Sequence, residues 1–269
     1  MNFRATIVLC ILTIISAFSV PNSHYLASRM TSSTDNGPLE IYYFHLFAKV
    51  GSLFALEHSG LSYVHKKPED WKAMKAELSW GCLPILKNLP AEDAAAFGGA
   101  ELGQELAIMN YIANRVPEKM KGANLSEELV SQQLYGEAED IYQALARIKT
   151  KLVTGEAAVN FWSKDNIDPL SHNRQFGIYV FLDKLEKFIQ KCGKAQDGKF
   201  TTSGVTVGEC KLFATLCACK KIEDSLLQDF EGLKRFYDRF EKEPATQVIL
   251  SGAKTDGVLP QYFLKPDEM

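Results

Sequence analysis

A short apolar segment led by a proline, Gly81-Cys82-Leu83-Pro84-Ile85-Leu86, limits the possible folds more than any other part of the sequence. Because proline has no backbone N–H, the segment predicts a turn that leads into a strand rather than the middle of a central strand. The peptide bond before a proline can adopt the cis form at little cost. A cis bond there would turn the backbone N–H and C=O of Leu83 outward, where a peptide-like ligand can pair with them. The alternative is an ordinary strand entrance, and the neighbouring segments decide between the two.

The segments on either side of this turn alternate between strand and helix patterns. Residues 39–44 and 61–65 are dense in β-branched and aromatic residues, which predicts two strands. Further predictions are a helix over 48–59 ended by Gly60, a short helix over 68–78, a third strand within 81–86, a hairpin with an enlarged loop between 86 and 104, and a buried helix over 104–115. This pattern predicts a small α/β domain over residues 39–116 with its own core.

Beyond a linker at residues 116–125, the strand patterns stop and long helix patterns begin. Helices are predicted over 126–153, from the N-cap Asp168-Pro169 to Cys192-Gly193, from the capping-box pair Thr206 and Glu209 to Cys219, over 229–243, and from Pro244 to Gly252. Residues 125–269 are therefore predicted to form an all-helical domain. The predicted fold class is an α/β domain followed by an all-α domain.

Composition and missing motifs exclude several classes of protein. A formal net charge of −3 and a pI near 6.0 give no footprint for nucleic acid or for an anionic membrane surface. The sequence contains no glycine-rich nucleotide loop, no HExxH and no GxSxG. The cysteines beyond residue 34 are odd in number and lack zinc or CxxC spacing. We therefore predict neither a metal site nor a disulfide scaffold, and a reducing compartment is favoured.

Several short motifs occur together in one order that is typical of a known family. They are Tyr43-Phe44, Asp70-Trp71, Lys75, Gly81-x-Leu83-Pro84-Ile85-Leu86, Ala107-Ile108, Tyr111-Ile112 and Val205-Thr206-Val207. With them, the chain resembles the cytosolic-type glutathione S-transferase family, and within it the tyrosine-dependent, sigma-like class. The resemblance covers residues 39–249. It implies a thioredoxin-like first domain, a helical second domain, glutathione as co-substrate, and usually a homodimer.

The resemblance assigns the catalytic role to Tyr43, which follows the first strand. A thiol with a pKa near 8.5 is mostly protonated at neutral pH, so stabilising the glutathione thiolate raises the rate. A phenol suits this task because it stays protonated and remains a hydrogen-bond donor. The structural alternative for Tyr43 is an aromatic residue packed in the core. Tyr42, its neighbour, points to the opposite face of a strand.

The resemblance also assigns the groups that hold the rest of glutathione. Trp71 and Lys75, one helical turn apart, match the residues that bind the glycine carboxylate. Leu83, before Pro84, would pair with the peptide through its backbone, and Gln104 matches the residue that meets the γ-glutamyl group. The alternative for Trp71 and Lys75 is an ordinary surface helix with a packed tryptophan and a solvated lysine.

The sequence departs from the family pattern at two places. The family follows the glutamine with a serine that receives the γ-glutamyl carboxylate at a helix N-terminus, whereas this chain has Glu105, which competes with that carboxylate unless its side chain swings outward. After the first strand, relatives carry Arg-Gly-Arg-Ala-Glu and this chain has Phe47-Ala48-Lys49-Val50-Gly51. Lys49 keeps one cation near the thiolate site but lacks the planar fork of an arginine. Asp140 matches the acid that reaches the glutathione ammonium across a dimer.

The acceptor site is expected between the two domains, where its electrophile cannot be identified from sequence. Its candidate lining residues, which are alternatively plain core, are Tyr135, Tyr142, Phe161, Trp162 and Phe263.

Residues 1–34 have the composition of a targeting sequence. Arg4 precedes an apolar stretch over residues 7–15 that is too short to span a bilayer, and residues 18–34 are rich in Ser and Thr and lack acidic residues. This segment resembles the bipartite presequence of algae with secondary plastids, so a plastid location is predicted, with secretion as the alternative. No membrane span is predicted in the mature chain.

Three functions agree with the sequence. The first is a glutathione transferase that acts on a hydrophobic electrophile. The second is a glutathione-dependent isomerase or peroxidase with the same constellation. The third is a non-catalytic transferase-like protein that binds a small molecule or a protein partner, a function that the departures at Glu105, Phe47 and Lys49 favour.

Overall fold

The computed structural model of the chain describes residues 37–99, 101–165 and 177–264. These residues all belong to one compact unit. Two sequence predictions, the presequence over residues 1–34 and the helix start at Asp168-Pro169, lie outside the described residues. The domain boundaries at 39–116 and 125–269 stay predictions.

The N-terminal part is built on a mixed sheet, which within the described residues has four strands in the order β2-β1-β3-β4. The strands are β1 Leu39–Tyr42, β2 Tyr63–Lys66, β3 Ile85–Lys87 and β4 Glu101–Gly103. β2 runs parallel to β1, whereas β3 is antiparallel to both β1 and β4. This mixed sheet with its helices is a thioredoxin-like arrangement, which confirms the predicted class of the N-terminal part.

Helices cover this sheet and separate its strands. They are α1 Gly51–Ser59, α2 Trp71–Glu77, α3 Ala91–Phe97, α4 Glu105–Arg115 and α5 Pro117–Met120. The expected hairpin with an enlarged loop is formed by β3 and β4, but its connection contains the helix α3 instead of an irregular loop. Pro90 precedes α3 with φ −49°, and Gly98 ends it at φ +69°. The predicted linker likewise contains α5, whose Met120 is buried.

The C-terminal part is built from helices and the turns between them, without a strand among its described residues, as the sequence predicted. Its helices are α6 Leu125–Lys149, α7 Glu156–Asn160, α8 Ile178–Lys191, α9 Val207–Lys220, α10 Glu231–Glu241 and α11 Pro244–Leu250, with 3₁₀ turns at Ala195–Asp197 and Asp224–Leu227. α6 is capped by Asn124, whose side chain accepts from Glu127 N–H, so the helix begins at Leu125, one residue before the predicted start at Ser126. The predicted capping box of Thr206 and Glu209 is present at the start of α9.

Helix α9 is the centre of the core and joins the two parts. Every residue of α9 except Lys220 is buried, and the helix packs against both α1 and α6. Phe213 on α9 packs edge-on against Phe54 on α1 with ring centroids 5.3 Å apart. Because the sheet part and the helical part share this core, the groove between them has fixed walls. No helix among the described residues is long and apolar enough to cross a membrane.

Candidate active site

One cleft of about 580 Å³ lies where the end of β1, the turn before β3 and the start of α4 meet the helical part. Its lining residues are Tyr43, Phe44, Leu46, Ala48, Lys49, Trp71, Gly81, Cys82, Leu83, Pro84, Gln104, Glu105, Tyr142 and Tyr262. The structure therefore brings together seven of the nine residues that the sequence nominated for the site. Lys75 and Asp140 are the two that do not line it.

Tyr43 lies directly after β1, at the floor of the cleft, and only 5% of it is exposed. Its hydroxyl oxygen accepts a hydrogen bond from the Lys49 backbone N–H at 2.8 Å. Burial raises the pKa of Tyr43 far above that of a free phenol, an effect that the Lys49 N–H partly opposes. The phenol therefore keeps its proton at every physiological pH. With its oxygen held by a backbone donor, it has its own O–H to offer to a ligand.

The turn before β3 presents a backbone edge to the same cleft. The Leu83–Pro84 peptide bond is cis. Within the described part of the chain, we find no hydrogen bond from the Leu83 backbone to another protein group. Pairing with β4 begins only at Ile85, which lies opposite Gly103. An extended peptide in the cleft can therefore pair with Leu83 as an added strand would.

Trp71 and Gln104 border the ends of this edge. Trp71 is the first residue of α2, behind the Asp70 N-cap, and its ring packs edge-on against Phe44 at 5.3 Å. Gln104 precedes α4 with φ +69°, a conformation that costs a non-glycine residue roughly 1–3 kcal/mol and is typical of functional positions. Its amide N–H is 3.9 Å from the Cys82 sulfur.

Lys75 and Asp140 are both exposed and lie outside the lining of the cleft. Lys75 is one turn after Trp71 on α2, and its side-chain carbons come within 3.7 Å of the place that a Cβ on Gly81 would occupy. It is thus next to a lining residue without being one. Asp140 lies on the outer surface of α6, so its role toward a second subunit stays a prediction.

The sequence left two alternatives for Glu105, an outward-swung side chain or a carboxylate that competes with that of the ligand. The structure shows a third arrangement, in which the carboxylate is buried and paired. Glu105 is 3% exposed, and its carboxylate forms an ion pair with Lys211 of α9 at 2.6 Å. Lys211 also pairs with Glu139 of α6 at 2.8 Å. Burial alone would lower the pKa of Lys211, but the two carboxylates outweigh it and hold the pKa above its ordinary value.

The cation predicted at Lys49 lies in the cleft wall, facing the helical part. Its ammonium is 3.4 Å from Glu139 and 4.9 Å from the centre of the Tyr142 ring. Burial would raise the pKa of Glu139, but Lys211 and Lys49 together hold it below its ordinary value. Lys49 therefore serves Tyr43 through its backbone N–H, whereas its side chain joins a network of charges.

The side of the cleft away from Leu83 is aromatic. Of the five candidate lining residues for the acceptor site, only Tyr142 borders the cleft, and the others belong to the core or the surface around it. Sequence reasoning missed Tyr262 and Leu46, which complete this wall, and it missed Lys211 behind Glu105. The sole sequence signal for Tyr262 was its place beside the apolar Phe263, in a tail without periodicity.

The described residues contain no group of three or more His, Cys, Asp or Glu side chains that could hold a metal ion.

Comparison with solved structures gives one fold. A prostaglandin synthase D of Nilaparvata lugens covers 79% of this chain and 96% of its own, with a TM-score of 0.59 and 15% identity. A Pi-class glutathione S-transferase of Onchocerca volvulus covers 78% and 90%, with a TM-score of 0.61 and 17% identity. The chain has the glutathione S-transferase fold. A monomeric glutathione S-transferase of the hookworm Necator americanus covers 78% and 94%, with a TM-score of 0.57 and 17% identity. Neither a protein-family model nor a curated protein matches the sequence.

Proposed function

We propose that the protein is a glutathione transferase of the tyrosine-dependent, sigma-like kind, which joins the glutathione sulfur to a hydrophobic electrophile. The observation that carries this proposal is the Tyr43 hydroxyl, which is buried at the floor of the cleft with its oxygen held by Lys49 N–H. Its O–H is the donor that a thiolate needs. A hydrogen bond to a charged group contributes roughly 1.5–3 kcal/mol, which corresponds to about one to two units of thiol pKa.

The remaining cleft residues, together with Lys75 beside the cleft, fit the parts of glutathione. The Leu83 backbone pairs with the cysteinyl peptide group, which fixes the thiol beside Tyr43. The indole of Trp71 and the ammonium of Lys75 hold the glycine carboxylate at one end. At the other end the N-terminus of α4, with Gln104 before it, attracts the γ-glutamyl carboxylate through its free backbone N–H groups.

The electrophile binds against the aromatic wall formed by Leu46, Tyr142 and Tyr262. These side chains offer apolar area and ring faces, which suit a flat, hydrophobic compound. Because this wall and Tyr43 line the same cleft, a compound bound against the wall has its electrophilic carbon within reach of the thiolate.

The direct test is a comparison of Tyr43→Phe with its neighbour Tyr42→Phe. Tyr42 donates to Glu40 at 3.1 Å and does not line the cleft, so it is a matched control for loss of one hydroxyl. We expect Tyr43→Phe to lower kcat/KM with a chlorinated dinitrobenzene by about 10- to 100-fold. It should also raise the pKa of the thiol of bound glutathione, which is measured from the absorbance of the thiolate. Tyr42→Phe should stay within about twofold of wild type.

The outcomes of this test separate the candidate functions. Full activity in Tyr43→Phe would remove Tyr43 from the mechanism. No binding of glutathione by the wild-type protein in a calorimetric titration would contradict the proposal altogether. Glutathione binding without turnover of any electrophile would favour the non-catalytic function.

A glutathione-dependent isomerase or peroxidase is the second candidate. One solved structure of this fold is described as a prostaglandin synthase D, and this observation favours weighing a reaction other than conjugation. Either enzyme would use the glutathione thiolate that Tyr43 stabilises. An isomerase would return glutathione unchanged, whereas a peroxidase would oxidise two glutathione molecules to their disulfide while it reduces the peroxide. Measuring whether glutathione is returned, oxidised to the disulfide or joined to the product distinguishes these enzymes from a transferase.

Assembly and location complete the proposal. We place the protein in a homodimer, in which Asp140 reaches the glutathione ammonium of the second subunit. Because one protein of this fold is described as monomeric, the fold alone does not decide the matter, and sedimentation equilibrium does. Residues 1–34 direct the chain to a plastid, with secretion as the alternative. A fusion of residues 1–34 to a fluorescent protein, imaged in an alga with secondary plastids, tests this.

A further inference from the structure

Four charged side chains form a continuous chain behind the cleft, in the order Glu105, Lys211, Glu139 and Lys49. The distances between the paired atoms are 2.6, 2.8 and 3.4 Å. The side chains of Glu105 and Lys211 are 1% and 2% exposed, whereas those of Glu139 and Lys49 are each 24% exposed. The formal charges of these four side chains alternate in sign and add up to zero. We call these four residues the charge chain.

The charge chain ends at the place where an anionic ligand would bind. Glu105 is the first residue of α4, so its carboxylate and the free N–H groups of that helix lie within one turn of each other. Oε1 of Glu105 has no hydrogen-bond partner among the described residues. The negative charge of this carboxylate is therefore neutralised through its other oxygen, by Lys211. An unpaired carboxylate here would cancel the attraction of the helix terminus for another anion.

The local sequence is adapted to this pair. A Cβ at Gly51, the first residue of α1, would be 3.1 Å from both Glu105 Oε1 and Lys211 Cδ. A larger side chain at position 51 would therefore push the pair apart. Two departures from the family pattern, at positions 51 and 105, are therefore close neighbours, and the missing side chain at Gly51 leaves room for Lys211 beside Glu105.

We propose that Lys211 is a positioning residue for glutathione: by neutralising Glu105 from behind, it leaves the N-terminus of α4 open to the γ-glutamyl carboxylate. This inference rests on the proposed function and adds a residue to it. Lys211 does not line the cleft, so its effect is electrostatic and acts through Glu105. Its removal should weaken binding of the ligand carboxylate and should leave the Tyr43 chemistry unchanged.

The test uses calorimetric titrations at pH 8 with two ligands. One is glutathione, and the other is an analogue whose γ-glutamyl carboxylate is an amide. We expect Lys211→Met to weaken glutathione binding by about tenfold or more. Without Lys211, the carboxylate of Glu105 and the γ-glutamyl carboxylate of the ligand meet at the first turn of α4, where they repel strongly at the effective dielectric of a partly buried site. The amide analogue should lose no more than about threefold. In turnover assays, KM for glutathione should rise while kcat stays within about twofold.

Two further variants separate charge from packing. Lys211→Met/Glu105→Gln removes both charges and should restore glutathione binding to within about threefold of wild type. Glu105→Gln alone leaves an excess positive charge and should tighten glutathione binding several-fold, which keeps the inference testable if Lys211→Met does not fold. Circular dichroism confirms the fold of each variant.

The results distinguish this inference from the proposed function. A wild-type protein that does not bind glutathione would overturn both. If the wild-type protein binds glutathione, either of two results would overturn the role of Lys211 alone. One is that Lys211→Met weakens the binding of glutathione and of its amide analogue equally. The other is that none of the three variants changes glutathione binding. Recovery in the double variant supports it.

Discussion

His58 is the residue through which we expect mild acid to destabilise the protein. It is 3% exposed on α1, and its Nε2 is 2.9 Å from the Thr246 hydroxyl of α11. Its ring packs on Phe240 with centroids 4.8 Å apart. Burial, aided by the positive charges of Lys119 and Arg239, lowers the pKa of His58 to about 4.

The sign of the effect follows from this lowered pKa. The folded state keeps His58 neutral, so its contribution to stability is complete above about pH 6.5 and is lost as the pH falls toward about 4. In wild type, His58 should account for roughly 2 kcal/mol of lost unfolding free energy between pH 6.5 and 4.5. His58→Gln, which keeps a polar partner for Thr246 but does not titrate, should remove this part of the slope. Urea unfolding at several pH values measures it, and an unchanged slope in His58→Gln would contradict the assignment.

The two adjacent tyrosines show what single residues reveal in sequence. Strand alternation predicted that Tyr42 and Tyr43 face opposite directions, and the structure agrees: Tyr42 bonds to Glu40 and lies under Lys66, whereas Tyr43 reaches the cleft. Alternation alone does not say which of the two faces a ligand. That choice depends on which side of the sheet the helical part covers, and the family resemblance supplied it.

Among the elements, α9 and α6 are packed more closely than side chains would allow. A Cβ on Gly208, in the first turn of α9, would lie 1.9 Å from the backbone oxygen of Ser131 on α6. The Gly208 N–H donates to the Ser131 hydroxyl at 3.0 Å. The absence of a side chain at Gly208 therefore sets the distance between the two central helices of the core.

Gly208→Ala should lower the free energy of unfolding by about 2 kcal/mol or more, because the added methyl forces the helices apart. Gly136→Ala is the matched control, since Gly136 lies exposed on α6 and a Cβ there meets nothing within 4 Å. That variant should gain about 0.5–1 kcal/mol from helix propensity. Chemical denaturation of both variants checks the prediction. Equal effects of the two substitutions would mean that the close contact does not determine helix spacing.

Element ends were predictable where a side chain or a glycine specifies them. Gly60 ends α1 in the left-handed conformation. The capping box at the start of α9 was predictable from the spacing of Thr206 and Glu209, and in the structure Glu209 accepts from the backbone N–H groups of both Thr206 and Phe200. The helix between β3 and β4 was missed because its alanine-rich sequence lacks an apolar face and a capping side chain. Its ends are instead set by Pro90 and Gly98, which equally suit a loop.

At the scale of the whole molecule, the cleft joins residues that are far apart in the chain. The sequence nominated residues near the turn before β3, because motifs within one short segment keep their spacing. Lys211 and Tyr262 were missed because their role depends on how α9 and the C-terminal tail pack against the sheet part. A lone lysine in an apolar helix has no local pattern that reveals a buried partner 106 residues away.

The C-terminal tail, residues 258–264, closes the molecule over the segment after β1. Phe47 N–H donates to the Pro260 carbonyl at 2.7 Å, and the Gln261 side chain donates to the Ala218 carbonyl of α9 at 3.0 Å. Phe263 is 2% exposed and packs against both Tyr142 and Tyr262. These contacts anchor the tail at both the sheet part and the helical part, and they place Tyr262 in the aromatic wall of the cleft.

If this wall holds the electrophile, Tyr262→Ala should raise KM for a hydrophobic electrophile by roughly tenfold, because an aromatic face is lost from the pocket. KM for glutathione should change by less than about twofold, since glutathione lies along the Leu83 edge. Tyr262→Phe keeps the ring and should behave as wild type.

Phe263→Ala should lower the unfolding free energy by about 3 kcal/mol and, by releasing the tail, reproduce the KM change of Tyr262→Ala. Steady-state kinetics with both substrates varied decide the matter: an equal rise in the two KM values would show that the tail supports the whole cleft rather than its acceptor side.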